Sequence, residues 1–256
     1  MQQTFYKYQG TGNDFVMIDN RQQTFDKNNT KRIAHLCDRR FGIGADGLIL
    51  LENHETLDFE MIYYNADGSQ SFCGNGARCA VAFAKQLGII KNKAFFLAID
   101  GKHSASLSNG IVKLQMHNVD TVKKYDHHVF LNTGSPHHVQ FESNIDDFDI
   151  KTKGAKIRYG QPYNKAGTNV NFVKKVSSTE FKVRTYERGV ENETLSCGTG
   201  VTAVALAMHY IGETEKNLIT LHTQGGNLQV SFNKESGVYK NVCLMGPAKL
   251  VFQGII

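Results

Sequence analysis

Two stretches of this sequence share one pattern: CGNGARCAVAFAKQLG, from Cys73 to Gly88, and CGTGVTAVALAMHYIG, from Cys197 to Gly212. Each opens with Cys-Gly-x-Gly, continues with a mainly apolar segment and closes on glycine. Apolar segments of this kind predict buried helices, and a glycine directly after the segment is typical of a helix C-terminus. The predicted helices cover residues 80–87 and 203–211. Because the Cys-Gly-x-Gly turn leads directly into the apolar segment, each cysteine is expected at or just before a helix N-terminus.

The similarity extends outward from these stretches at a nearly constant spacing. FEMIYYN begins at Phe59 and FKVRTYE begins at Phe181, which is an offset of 122 residues. The same offset relates TGNDFV, from Thr11, to TGSPHH, from Thr133, and GADGLILL to AGTNVNFV, whereas the Cys-Gly-x-Gly turns lie 124 residues apart. Two copies predict two halves of one architecture that face each other, and domain interfaces are favoured places for small-molecule sites.

Runs rich in β-branched and aromatic residues predict several strands in each half, arranged around its apolar helix. The expected fold class is α+β with mostly antiparallel sheet. The first half is expected to span residues 1–119, completed by residues 248–256, and the second half residues 120–247. A further helix is predicted over residues 28–39.

Composition narrows the class of protein. There are 29 Lys and Arg residues against 24 Asp and Glu residues, and this mild surplus shows no basic block that would predict nucleic-acid binding. The N-terminal sequence lacks a signal-peptide pattern, and no apolar run approaches the roughly 20 residues that span a membrane. The five cysteines form no CxxC pair, zinc spacing or even-numbered framework. The sequence therefore predicts a cytoplasmic protein with cysteine thiols and no membrane partner.

The Cys-Gly-x-Gly turns indicate a specific chemistry. The unpaired N–H groups and the dipole of a helix N-terminus favour a thiolate and can bind a carboxylate. Inverting a stereocentre requires a base on one face of a carbon and an acid on the other, which one thiolate and one thiol supply without a cofactor. Cys73 and Cys197 are therefore predicted to be the acid and base that invert an amino-acid α-carbon. Three other cysteines are expected to be buried and inert: Cys37, Cys79 and Cys243.

The sequence resembles the diaminopimelate epimerase family along essentially its whole length. The matching segments are GTGNDFVMID, FGIGADGLIL, YYNADGS, CGNGARC, GSPHH, TNVNF, ERG, ETLSCGTG and GPAKLVFQG. The resemblance implies reversible conversion of LL- to meso-2,6-diaminopimelate, in lysine and peptidoglycan precursor synthesis. It also implies two pseudo-symmetric halves, each a β-structure around a central helix, no cofactor or metal, and a homodimer.

The resemblance also implies roles for particular residues. Cys73 and Cys197 correspond to the acid–base pair, and Glu187 and His137 to residues that tune it. The residues implied in substrate binding are Asn13, Asn65, Gly74, Asn75, Asn169, Glu187, Arg188, Gly198 and Thr199. Within this set, Arg188 is expected to pair with the distal carboxylate of the substrate.

Other functions remain open at this point. A proline or hydroxyproline racemase-like enzyme would use the same cysteines on a substrate with one carboxylate, and an isomerase of the phenazine-biosynthesis type normally lacks the cysteine pair. A noncatalytic protein that holds a dicarboxylate is a further alternative. Gly42, Gly44 and Gly47 form a literal GxGxxG, but a helix is predicted before it and a strand after it, the reverse of a dinucleotide site.

Overall fold

The computed structural model describes residues 2–256, so Met1, the first residue of the predicted first half, lies outside them. The chain divides into two compact units. The first runs to Leu114 and includes Gly246–Ile256, and the second is Gln115–Met245. Each unit combines β-sheet with two helices, which confirms the predicted α+β class.

The first unit has eight strands and two helices. Its strands are β1 (Thr4–Gly10), β2 (Asn13–Asp19), β3 (Gly47–Glu52), β4 (Phe59–Asn65), β5 (Lys93–Ala98), β6 (Gly101–Ser108), β7 (Ile111–Gln115) and the C-terminal β17 (Lys249–Ile255), and its helices are α1 (Thr30–Cys37) and α2 (Gly74–Gln86). The order across the sheet is β17-β1-β2-β3-β4-β5-β6-β7. The β2–β3 and β4–β5 pairs are parallel and the others antiparallel.

The second unit repeats this arrangement. Its elements are β8 (Val122–Lys124), β9 (Val129–Asn132), β10 (Pro136–Phe141), α3 (Ile150–Tyr159), β11 (Asn169–Lys175), β12 (Glu180–Glu187), β13 (Asn192–Thr194), α4 (Gly198–Tyr210), β14 (Leu218–Thr223), β15 (Gly226–Glu235) and β16 (Val238–Pro247). The β10–β11 and β12–β14 pairs are parallel, and the β11–β12 and β14–β15 pairs are antiparallel. The same sequence of parallel and antiparallel pairs occurs at β2–β3, β3–β4, β4–β5 and β5–β6, so the two halves share one topology.

Each sheet wraps around one apolar helix. Helix α2 packs on β1, β2, β3, β4 and β6, and α4 packs on β9, β10, β11, β12, β14 and β15. Strand β3, GLILLE, is buried along its whole length because Leu48 and Leu50 pack in a cluster with Ile33 and Leu36 of α1, while α2 packs on β3 as well. Burial of such side chains contributes about 1.5–3 kcal/mol each, which makes this layer a main source of stability.

The helices begin earlier than their apolar segments indicated. Both α2 and α4 start at the residue directly after the cysteine, so Gly-Asn-Gly and Gly-Thr-Gly form the first helical turns despite the low helix propensity of glycine. Both end one residue before the predicted position, at Gln86 and Tyr210, and Gly88 and Gly212 follow at positive φ angles of 73° and 84°. Strand β3 begins at Gly47, which places a strand after the glycines of the literal GxGxxG and agrees with its rejection as a dinucleotide site.

Candidate active site

Cys73 and Cys197 occupy the same position in their respective halves. Each is the N-cap residue of its helix and has an extended backbone, with φ and ψ of −129° and 113° at Cys73 and −124° and 116° at Cys197. The Cys73 Sγ accepts a hydrogen bond from the Gly76 N–H at 3.5 Å. Both sulfurs therefore lie at the positive end of a helix, where an anion is stabilised.

Asn13, the first residue of β2, contacts Cys73 directly. Its Nδ2 donates to the Asp46 carboxylate at 2.5 Å, and its Oδ1 lies 3.4 Å from the Cys73 Sγ and accepts from Asn75 Nδ2 at 3.3 Å. Because a carboxylate only accepts hydrogen bonds, the amide of Asn13 must present its oxygen to Cys73. This oxygen accepts the S–H proton and favours the thiol form of Cys73.

A cluster of charged residues holds Asp46 in place. The Arg39 guanidinium lies 2.7 Å from both Asp14 and Asp46, and the Lys7 ammonium lies 2.7 Å from Asp14. Burial by itself would raise the pKa of Asp14, but hydrogen bonds from Arg39 and Lys7 lower it to about 2. Asp14 is therefore ionised at neutral pH and anchors the arginine that orients Asp46 and, through it, Asn13.

Asn65 ends β4 and organises the loop that leads to Cys73. Its Nδ2 donates to Ser69 Oγ at 3.0 Å, its Oδ1 accepts from Ser71 Oγ at 3.3 Å, and its backbone N–H bonds to the Ser69 carbonyl at 2.8 Å. The side chain of Asn65 is thus engaged in a turn in this structure.

In the second half, a hydrogen-bonded chain leads to Cys197. Thr199 Oγ1 lies 3.5 Å from the Cys197 Sγ and 3.0 Å from His137 Nε2, and His137 Nδ1 lies 3.1 Å from Asn171 Nδ2. The same Asn171 nitrogen donates to the His138 carbonyl at 3.1 Å, while Asn171 Oδ1 accepts from Thr185 Oγ1 at 2.9 Å. All of these groups lie in the second unit.

The partners of Asn171 determine the direction of this chain. A carbonyl can only accept, so Asn171 must present its nitrogen to His138 and to His137, and His137 Nδ1 must be an acceptor. Burial, together with the nearby charge of Arg188, lowers the pKa of His137 to about 3, so the ring is neutral at pH 7. Its proton then lies on Nε2 and is donated to Thr199 Oγ1, which leaves the Thr199 O–H available to donate to the Cys197 sulfur at 3.5 Å. The chain can therefore supply a hydrogen-bond donor to the Cys197 sulfur.

Asn169, Glu187 and Arg188 come together where β11 begins and β12 ends. Asn169 Oδ1 accepts from the Arg188 backbone N–H at 2.9 Å, and its Nδ2 donates to the Pro136 carbonyl at 3.2 Å. Glu187 Oε2 accepts from Thr194 Oγ1 at 3.0 Å. The Arg188 guanidinium is exposed and donates to the Ala166 carbonyl at 3.0 Å. Asn169 thus fixes the turn that presents Arg188.

The remaining predicted residues are backbone groups at the helix starts. Gly74 and Asn75 open α2, and Gly198 and Thr199 open α4. The first N–H groups of an α-helix have no partner within the helix, so they are suited to bind a carboxylate oxygen.

Sequence reasoning missed several residues that the structure places beside the cysteines. Asn171, Thr185 and Arg78 are all buried, the first two beneath Cys197 and the third within α2. A signal for Asn171 was present, because Asn169 and Asn171 are two residues apart on one strand and therefore point to the same face. The sequence has no comparable signal for Arg78.

The remaining features concern thiols, metal-binding sets, membrane helices and cavities among the described residues. Within residues 2–256, all five cysteines are reduced thiols. No set of three His, Cys, Asp or Glu side chains in this range is arranged to hold a metal ion, and none of its helices has the length and apolar character needed to span a bilayer. Two cavities of about 410 and 670 Å³ lie in the second unit around His128, and neither is lined by Cys197.

Comparison with protein families gives a match over nearly the whole chain. The family model described as diaminopimelate epimerase matches residues 5–127 and again residues 129–251, which agrees with the internal repeat. The chain is 62% identical to a diaminopimelate epimerase of Flavobacterium psychrophilum, over 98% of this chain and 99% of that protein. It is 40% identical to a diaminopimelate epimerase of Chlorobaculum tepidum, over 96% of this chain and 98% of that protein.

Solved structures share the fold at low sequence identity. A phenazine biosynthesis protein of the PhzF family from Bacillus anthracis has a TM-score of 0.80 at 11% identity, covering 100% of this chain and 99% of that one. A hydroxyproline epimerase from Agrobacterium vitis has a TM-score of 0.70 at 13% identity, covering 100% and 92%. At such identities the likeness concerns the architecture, two halves with a sheet around a helix.

Proposed function

Since this chain belongs to the diaminopimelate epimerase family, we propose that it interconverts LL- and meso-2,6-diaminopimelate, in lysine and peptidoglycan precursor synthesis. One observation supports this activity above the others. Each half of the chain places a cysteine at the N-cap of its central helix, beside backbone N–H groups suited to a carboxylate.

The proposed mechanism uses Cys73 and Cys197 as a two-base pair. One sulfur, as thiolate, takes the proton from the substrate α-carbon, and the other, as thiol, gives a proton to the opposite face. The new C–H bond forms as the S–H bond breaks, and the two sulfurs have exchanged protonation states at the end. The reverse reaction therefore starts from the opposite arrangement, and no cofactor takes part in these steps.

The negative charge that forms on the substrate must be held while the α-carbon is planar. The N–H groups of Gly74 and Asn75 in one half, and of Gly198 and Thr199 in the other, are proposed to bind the reacting carboxylate as it gains enediolate character. Helix N-termini suit this role because their N–H groups are already oriented and need no rearrangement during the reaction.

The other end of the substrate carries an ammonium and a second carboxylate. Arg188 is proposed to bind that carboxylate, since its exposed guanidinium is held by Ala166 and by the turn that Asn169 fixes. Asn13, Asn65, Asn169 and Glu187 are proposed to contact the remaining polar groups. His137 and Glu187 are proposed to tune the cysteines, His137 through Thr199.

The test is α-proton exchange followed by NMR, with reduced enzyme and LL-diaminopimelate in deuterated water. Deuterium should enter with inversion in the unaltered enzyme, and inversion should be lost in Cys73→Ala and in Cys197→Ala. Inversion of proline or hydroxyproline, without reaction of diaminopimelate, would overturn the proposed substrate. Inversion that survives either substitution would contradict the two-base mechanism.

We also propose a cytoplasmic homodimer, as expected for the family. Strand β17 exposes several apolar side chains, and such patches commonly mark protein interfaces. These side chains are Leu250, Val251, Phe252 and Ile255, which are 44–64% exposed. Light scattering should give twice the 28.6 kDa chain mass, and Val251→Glu should shift the protein toward monomer. A monomeric unaltered protein would contradict the proposal.

A further inference from the structure

Arg78 is a fully buried cation on α2, five residues after Cys73. Its exposed fraction is 0%, Nη2 donates to Thr11 Oγ1 at 3.2 Å, and Nη1 lies 3.5 Å from the Gly74 carbonyl oxygen. Its Nε has no hydrogen-bond partner among residues 2–256. No carboxylate in this part of the chain forms an ion pair with it. Burial lowers the pKa of Arg78, and the neighbouring thiols of Cys79 and Cys73, when ionised, oppose this shift.

Such a charge needs an anion nearby. An arginine keeps its proton in proteins, and a buried ion without a partner costs several kcal/mol. Cys79 does not provide the anion, because burial raises the pKa of its thiol to about 12. Cys73 differs from Cys79 because it is partly exposed and lies at the helix N-terminus. Its thiolate is the anion that α2 can present to Arg78.

We propose that Arg78 is a positioning residue for Cys73, and that its permanent charge stabilises the Cys73 thiolate. This proposal rests on the catalytic role proposed above for Cys73. Arg78 then opposes Asn13, whose Oδ1 favours the thiol. A reversible two-base reaction requires Cys73 both to hold a proton and to release it, and two opposed neighbours keep both forms accessible at neutral pH.

The other ionisable groups around α2 are engaged with their own partners. Tyr6 and Tyr8 contact Phe83, and Tyr8 O–H also donates to Gln86 at the far end of the helix. His103 stacks on Phe72 and bonds to Asp100 at 2.8 Å. Lys7 and Asp14 pair with each other, Asp46 pairs with Arg39, and Tyr64 O–H donates to the Lys27 carbonyl. Arg78 is the cation on α2 itself within three turns of Cys73.

The second half supplies a matched control. Thr202 stands five residues after Cys197, as Arg78 stands five after Cys73. It is also fully buried, and its Oγ1 donates to the Gly198 carbonyl at 2.9 Å, the counterpart of the contact between Arg78 and Gly74. Thr202 fills the equivalent place without a charge, so Thr202→Val changes a buried hydrogen bond and leaves the charge near Cys73 intact.

The experiment measures how fast iodoacetamide alkylates Cys73 as a function of pH. It uses the whole chain with Cys197→Ala, and modification of Cys73 is read by mass spectrometry. Arg78→Gln should move the midpoint of this profile upward by about one pH unit, which lowers the rate at pH 7 about tenfold. Arg78→Lys should restore most of the shift. Thr11→Val, which removes a hydrogen bond of Arg78 but keeps its charge, and Thr202→Val should leave the midpoint near that of the parent.

An unchanged midpoint in Arg78→Gln would overturn the proposal, as would a shift of equal size in Thr11→Val or Arg78→Lys. If the Gln variant does not fold, Arg78→Met removes the charge with a side chain suited to a buried site, and the same criteria apply. Alkylation is read without substrate. The activity of the unaltered enzyme on diaminopimelate is measured separately. If the unaltered enzyme is active and Arg78→Gln gives no midpoint shift, the result counts against Arg78 alone. If the midpoint shifts but the unaltered enzyme is inactive on diaminopimelate, the result counts against the proposed function.

Discussion

The two halves of this protein have the same backbone register but different chemistry around the cysteine. In the first half, Phe15 pairs with Gly47 and Leu48 with Tyr64. In the second half, His137 pairs with Asn169 and Val170 with Tyr186. Each of these positions is related to its counterpart by the offset of 122 residues found in the sequence. The duplicated strands therefore place equivalent side chains beneath both helix starts.

Those equivalent side chains are apolar in one half and polar in the other. Ile49 and Phe15 lie beneath Gly76 in the first half, where a Cβ on Gly76 would be 3.1 Å from Ile49 Cδ1. Asn171 takes the place of Ile49 in the second half and His137 the place of Phe15. A Cβ on Gly200 would be 2.6 Å from Asn171 Oδ1. The first half instead has Arg78 within the helix, where the second has Thr202.

This comparison indicates that the fold fixes the position of each sulfur at its helix start, while different side chains surround the sulfur in each half. Near Cys73 lie a hydrogen-bond acceptor, Asn13 Oδ1, and a buried cation, Arg78. Cys197 lies 3.5 Å from Thr199 Oγ1, which is at the end of an uncharged chain of hydrogen bonds. The proposed two-base mechanism requires both the thiol and the thiolate form of each cysteine, and the polar groups nearby differ between the two halves.

The largest expected effect concerns Arg188, which is proposed to bind the distal carboxylate of the substrate. Arg188 in the second half corresponds to Ala66 in the first. Arg188→Met should lower kcat/KM for diaminopimelate about 100-fold, or ~3 kcal/mol, because a charged hydrogen-bonding partner of the substrate is lost. Steady-state kinetics would check this, with Arg188→Lys, which keeps the charge but not the planar fork, expected to lose less. A Met variant within about threefold of the parent enzyme would argue against the assignment.

The next prediction compares the first turns of α2 and α4 by adding one methyl group to each, at Gly76 and at Gly200. Gly200→Ala should lower the free energy of unfolding by about 2 kcal/mol, because the new Cβ meets the fixed Asn171 oxygen. Gly76→Ala should be near neutral, since the end of the Ile49 side chain can shift and alanine gains about 1 kcal/mol of helix propensity. Urea unfolding of both variants measures the difference. Equal destabilisation would show that the two helix starts are packed alike.

A smaller effect is expected from reversing the hydrogen-bonded chain of the second half. Asn171→Asp offers an acceptor to His137 Nδ1 and moves the ring proton there. His137 Nε2 then accepts the Thr199 O–H, which is no longer available to donate to Cys197. We expect kcat to fall about tenfold with a shifted pH–rate profile. Thr185→Val is the control, because it removes a contact of Asn171 without changing which atom faces His137. If Thr185→Val lowers kcat by the same factor, the direction of the hydrogen bonds in this chain is not what affects catalysis.

The smallest effect is the acid sensitivity of the buried histidines. Burial lowers the pKa of His137 to about 3 and that of His138 to about 4. Since the unfolded chain binds these protons near pH 6.5, the stability they contribute is present above that pH and is lost as pH falls toward the folded pKa values. The free energy of unfolding should fall by about 1 kcal/mol between pH 7 and pH 6. His138→Gln should flatten this slope, and an equally steep slope in that variant would contradict the account.

Local patterns predicted those parts of the fold that depend on neighbouring residues. The apolar runs predicted α2, α4 and β3, and Gly88 and Gly212 marked the ends of the two main helices. Helix α3 was not predicted, because its sequence is rich in lysine and contains Gly154. In the structure the side chain of Ile150 and the backbone at Gly154 are buried, and a Cβ at Gly154 would be 2.4 Å from Tyr186 Cβ. The close approach of a helix to a residue 32 positions later cannot be read from helical periodicity.

The sequence by itself determined the duplication, the two cysteines at helix starts and the family, since these follow from residue types at fixed spacings. Tertiary structure alone decided what surrounds each sulfur. Arg78 is buried, Asn13 presents its oxygen and Asn171 its nitrogen because strands and loops distant in sequence supply the partners that fix each group. The physical reason is that hydrogen-bond direction and the cost of a buried charge depend on groups brought together by folding, and their sequence neighbours do not reveal them.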